Sequence, residues 1–138
     1  MKAIAMARTA VLLLAVAAAG CSTFARPPSP NLRLVTLVPA ETRVLLTAAA
    51  SGTIEPIGEC VYFVSASGHR SLALWPDYFE LARQDGVPIG VRSTSSNTVV
   101  AFGQTHTFGG GELSPLPQML TQPLPAGCRG PAMMLYFN

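Results

Sequence analysis

A chain of 138 residues with a formal charge of +2 and 12% charged side chains has the length of one domain and too weak a field to draw nucleic acid. Two of its nine basic residues, Lys2 and Arg8, precede Cys21; the remainder balances the seven acids, and all of it is Arg. No basic stripe alternates with aromatics, which excludes a nucleic-acid partner.

The chain opens on Lys2 and Arg8, followed by an apolar run from Ala10 to Ala19 and by Gly20-Cys21. A positive start, a short apolar run and small residues at its end mark an export signal. The run falls short of the roughly 20 apolar residues that a membrane span needs. Ala18-Ala19-Gly20-Cys21 resembles a lipobox, with Ala18 where Leu is commoner. Small residues admit the peptidase, and the Cys21 thiol is the nucleophile that receives a diacylglyceryl group. Two other readings stand beside this one: an ordinary signal cut after Ala25, or an uncleaved anchor. The lipobox reading makes residues 1–20 a removable signal and Cys21 the acylated residue, with palmitate-type chains holding it in a membrane. Ser22, rather than Asp, follows the cysteine, and by resemblance to sorted bacterial lipoproteins this points to the outer membrane of the cell envelope.

Residues 21–31 contain Pro27, Pro28 and Pro30 and read as an extended tether. Residues 32–138 read as one small β domain. Leu32 to Val38 alternates loosely and is stopped by Pro39. Arg43 to Ala50 is ambiguous between helix and strand, and the following Ser51-Gly52-Thr53-Ile54 favours strand. Cys60 to Val64 is β-branched and aromatic. Ser65 to Gly68 is a turn cluster. Arg70 to Trp75 alternates, placing Leu72 and Leu74 on one face and Ala73 and Trp75 on the other, so the two runs form a hairpin that Pro76 ends.

Tyr78 to Arg83 is a short element, Asp85-Gly86 a turn, and Val87 to Thr94 a strand with an early Pro88. Ser95 to Asn97 turns the chain into a strand over Thr98 to Phe102, with a tight bend at Gly103. Thr105 to Phe108 extends briefly, and Gly109-Gly110-Gly111 reads as a permissive turn. Leu113 to Gly127 is Pro-rich loop, in which Ser114 and Pro115 could cap one helical turn through Leu120. Ala132 to Phe137 is a last apolar strand. Short strands at this spacing predict an all-β fold, a small partly open barrel, OB-like, or a sandwich of antiparallel strands.

Cys60 and Cys128 form an even pair in an exported chain and read as a disulfide. Closing so long a loop contributes on the order of 4 kcal/mol in the chain-entropy description. A metal or redox pair is the rival; no Cys-x-x-Cys supports it.

The order of landmarks resembles a group of small bacterial envelope lipoproteins of unassigned function. The landmarks are Gly52-Thr53-Ile54, Gly58-Glu59-Cys60, Leu74-Trp75-Pro76, the Gly86 turn, Val99 to Gly103, Gly109-Gly110-Gly111-Glu112 and Cys128-Arg129-Gly130-Pro131. The likeness covers about residues 51–137. It implies a compact, OB-like β domain with the two cysteines joined, and no catalytic assignment. The chain departs from the group at Met133 to Tyr136, where an aromatic is expected soon after Pro131.

Among candidate sites, His69 reads as a solvated turn residue. His69 and His106, the two histidines, could meet across the sheet with Glu112 or Asp77 as a third donor, a weak metal candidate. The three glycines lack the Lys and the Walker spacing of a phosphate loop, and no Gly-x-Ser-x-Gly supports a serine hydrolase. Trp75 is either a core plug or a ligand-stacking surface. Arg70 and Arg92 are placed beside the same sheet. The sequence thus predicts a membrane-tethered domain with a non-enzymatic binding or structural role and no cofactor. The alternative is a small-ligand or metal-binding lipoprotein using the barrel mouth near Trp75 and His106.

Overall fold

The computed structural model describes residues 26–39, 47–113 and 120–138. The described residues include nine strands: β1 (Val35–Thr36), β2 (Ala48–Ile57), β3 (Cys60–Ser65), β4 (Arg70–Trp75), β5 (Phe79–Gln84), β6 (Val87–Ser93), β7 (Val99–Ala101), β8 (His106–Leu113) and β9 (Ala132–Tyr136). The hairpin read from the sequence is present, with Tyr62 opposite Leu72 and Val64 opposite Arg70.

β2, β3 and β4 form an antiparallel meander. β8 returns antiparallel to the first half of β2, pairing Ala48 with Gly110 and Gly52 with His106. β9 is antiparallel to β8 and parallel to β4, with Leu72 opposite Ala132. These pairings close a five-stranded barrel, so its wall has no free edge. Counting only barrel strands, the neighbours run first, second, third, fifth, fourth and back to first, the Greek-key order of an OB fold.

β1 fills a split in that wall. If the β3–β4 register continued beyond Tyr62–Leu72, Cys60 would face Leu74. Instead Cys60 bridges to Arg33 and Leu74 pairs with Val35. The N-terminal segment is wedged where β3 and β4 part. The backbone N–H of Arg33 donates to the Glu59 carbonyl at 2.9 Å, and that of Leu37 to the Trp75 carbonyl at 2.8 Å.

A second, three-stranded sheet, β5-β6-β7, is inserted between β4 and β8. Its first turn, Asp85-Gly86, has both residues at positive φ, 50° and 78°, the primed geometry that matches strand twist and that Asp-Gly adopts readily. The inner face of this sheet supplies Phe79, Val91 and Val100 to the barrel's core cluster, which also holds Ile54, Val61, Phe63, Ala73, Trp75, Phe108, Leu135 and Phe137. A clasp joins the sheets, as the Gly103 N–H donates to the Ile54 carbonyl at 3.0 Å.

Gly109-Gly110-Gly111 is not a turn. β8 runs straight through it. A Cβ on Gly109 would lie 2.5 Å from the Tyr136 ring, and one on Gly110, at φ 148°, would lie 1.8 Å from the Met134 carbonyl oxygen. The glycines let β8 and β9 pair under the Tyr136 ring, a close approach that any side chain would block.

Candidate functional site

Both faces of β4 are buried, and they face different surroundings. Ala73 and Trp75 point into the barrel. Leu72 and Leu74 point outward, into a second cluster with Val35, Leu37, Cys60, Tyr62, Cys128, Ala132 and Met134. The alternation read from sequence therefore assigns faces correctly, but neither face is solvated.

The outer cluster lies on the β3–β4 wall, the surface on which OB folds usually take ligands. Here the chain itself covers it. Leu37 bridges to Leu120, and Leu120 and Leu124 pack onto the cluster. Cys60 and Cys128 form a disulfide with their Cα atoms 6.0 Å apart and a sequence separation of 68; Cys60 is 0% and Cys128 3% exposed. The Tyr62 hydroxyl donates to the Arg129 carbonyl and accepts from the Arg129 N–H, both at 3.0 Å. One covalent bond and one two-sided phenol clamp thus fasten the last loop to β3.

Trp75 is 0% exposed, so it offers no surface on which a ligand could stack. Its ring lies 5.3 Å from that of Phe79, 6.2 Å from Phe108 and 6.1 Å from Phe137. Its indole Nε1 is the buried side-chain nitrogen left without a hydrogen-bond partner among the described residues, a cost of about 1–3 kcal/mol against the large apolar area that the ring buries. His106 is half-buried and packs on two of the same rings, 4.9 Å from Phe108 and 5.6 Å from Phe137. The Phe108–Phe137 pair connects Trp75 to His106, and the two do not line a common opening. The pairing of these residues in a barrel-mouth pocket is corrected accordingly.

The chain matches no protein-family model, no curated protein and no solved structure. Its reading therefore rests on its own residues.

His69 is an exposed turn residue, as its position after Gly68 suggests. No group of three His, Cys, Asp or Glu side chains that could hold a metal occurs among the described residues, Glu112 and Asp77 included. Arg70 and Arg92 lie on different sheets: Arg70 on β4 in the barrel and Arg92 on β6, where it pairs with Glu80 across the strands. Burial, then the nearby Tyr136 and Asp77, hold the Tyr78 phenol above its usual range. Cys21 and the helical turn at Ser114 and Pro115 lie outside the described residues.

One surface feature was not anticipated. The tether's described part lies along the domain. Arg26, Pro27 and Pro28 line a cleft of ≈ 420 Å³ with Pro56, Ile89 and Phe102. Beside it, Val87 is 46% and Ile89 37% exposed. The β5–β6 register shifts between Ala82 and Arg83, which leaves Ile89 as an extra residue on β6; beyond that irregularity Pro88 is buried, and Val87 and Ile89 face solvent.

Proposed function

We propose that the protein is a lipid-anchored envelope lipoprotein whose acylated Cys21 tethers a non-enzymatic β domain that binds a partner or supports an envelope structure. The observation that carries this reading is the use of the three cysteines. The disulfide takes up Cys60 and Cys128, as expected of a chain that matures in an oxidising compartment. The odd cysteine is Cys21, directly after an apolar run and Gly20. An odd thiol at that position has a use if it becomes the lipid-bearing residue.

The covered β3–β4 wall supports a structural or protein-binding role over an oligonucleotide or sugar site. Where a ligand groove would lie, Leu37, Leu120, Leu124 and the disulfide fill the surface. The OB-like connectivity itself assigns no function. The same reading places the domain at the outer membrane, with Ser22 after the acylated residue, and keeps its likeness to small envelope lipoproteins.

Intact mass measurement on membrane-extracted protein tests the reading. The expected mass is that of residues 21–138 plus acyl groups, less the two hydrogens lost on disulfide formation. Cys21→Ser is expected to leave the domain in the soluble fraction after export. An unprocessed, unacylated chain overturns the proposal.

A further inference from the structure

We infer that the exposed apolar end of β6, beside Arg26, docks on the bilayer that holds the protein's own acyl chains. The inference rests on the lipoprotein reading of Cys21 and adds an orientation to it.

The reach of the tether sets the geometry. Residue 26 is the first described residue, and it lines the cleft with Ile89 and Phe102. From Cys21 to Arg26 is five peptide steps, which span at most about 18 Å even when fully extended. With Cys21 acylated, the Arg26 end of the domain is held that close to the headgroups. A partner domain of about 100 residues has a radius of gyration near 13 Å and does not fit in such a gap. The surface within reach of this patch is lipid.

The side chains at that end suit an interface. Val87 and Ile89 share one face of β6, and both are exposed. Phe102, half-buried, and Pro27, Pro28, Pro56 and Pro88 continue the apolar lining, and the one carboxylate in it, Glu55, accepts a hydrogen bond from the Thr53 hydroxyl at 3.0 Å. Arg26 stands at the cleft's edge, where a guanidinium can stay among phosphates while its stem lies on apolar surface. The Phe102 N–H donates to the Ile89 carbonyl at 2.9 Å, so the patch sits on paired backbone rather than on a loose loop. The opposite end of β3, at the turn around Ser67, carries the polar residues Ser65, Ser67 and His69.

The test uses the acylated full-length mature protein in vesicles of phosphatidylethanolamine and phosphatidylglycerol. A fluorophore is attached through Ile89→Cys in one sample and Ser67→Cys in another, since the disulfide and the lipid occupy the native thiols. Both variants must retain the disulfide by mass. A quencher carried on the lipid chains is expected to quench the label at 89 several-fold more than the label at 67, and Val87→Asp is expected to erase the difference. Vesicle-bound protein with equal, weak quenching at both positions overturns the docking and leaves the anchor standing. Protein that does not float with vesicles and shows a free Cys21 thiol overturns the lipoprotein reading, and the docking with it.

Discussion

The two sides of β4 are buried by different means. Inside the barrel, Trp75 is enclosed by Phe79, Phe108 and Phe137 in edge-on and tilted contacts, and nothing covalent is involved. Outside, Leu72 and Leu74 are covered by β1 and by a loop of little regular structure, held by the Cys60–Cys128 bridge and the Tyr62 clamp. The inner side is closed by ladders on every neighbouring strand; the described part of the outer cover is joined by single backbone bonds, such as Thr121 N–H to the Thr36 carbonyl at 2.9 Å and Leu72 N–H to the Pro131 carbonyl at 2.7 Å. The contrast teaches that a small barrel can pack its interior from side-chain volume alone, whereas an irregular cover needs cross-links to offset the entropy of its loop.

Four variants sharpen this contrast. Trp75→Ala is expected to have the largest effect, a loss of about 3–5 kcal/mol in denaturant unfolding, because it empties the centre of the aromatic cluster. A midpoint close to the parent's would show that the interior is not the dominant store of stability. Replacing both cysteines, Cys60→Ser with Cys128→Ser, is expected to cost about 2–4 kcal/mol. Hydrogen exchange should then speed up over residues 120–131 more than over β2 and β8. Uniform loss of protection would break the distinction between cover and core.

Tyr62→Phe removes one hydroxyl and leaves the Arg129 N–H and carbonyl without it. A cost of about 1–2 kcal/mol is expected, with the Arg129 amide exchanging faster while the disulfide stays intact. The smallest effect concerns Tyr78. Its phenol is held above the ordinary 10.0 by burial, then by Tyr136 and Asp77. The folded state thus favours the neutral form, and this contribution is whole below the unfolded value of about 10. It falls away as pH rises through the higher folded value. Thermal unfolding above pH 10 should therefore decline less steeply in Tyr78→Phe than in the parent; parallel curves would remove Tyr78 from the alkaline response.

Much of the fold was legible because the strands carry their own punctuation. Arg70 to Trp75 alternates and ends at Pro76, and the structure bounds β4 at the same residues. Asp85-Gly86 turns with positive φ at both positions, and Asn97 turns at φ 60°. The cysteine pair was legible from parity alone. Gly109 to Gly111 misled because three glycines give no alternation to read; their purpose is set by Tyr136 and Met134, residues of a strand far along the chain. The wedge of β1 between β3 and β4 was equally hidden, since neither local propensity nor spacing records where a wall splits. Trp75 could be read as core or surface, and its complete burial among Phe79, Phe108 and Phe137 depends on barrel closure. The cleft beside Ile89 depends on where the tether lies, and the prolines suggest only that it is extended.

The seam occupied by residues 33–37 bears on the order of assembly. Every partner of that stretch, from Glu59 and Cys60 to Leu74, Trp75 and Leu120, is made later by the ribosome. Contacts of such long sequence separation form slowly. Residues 33–37 therefore gain these partners only once the β3–β4 hairpin and the final loop are themselves in place.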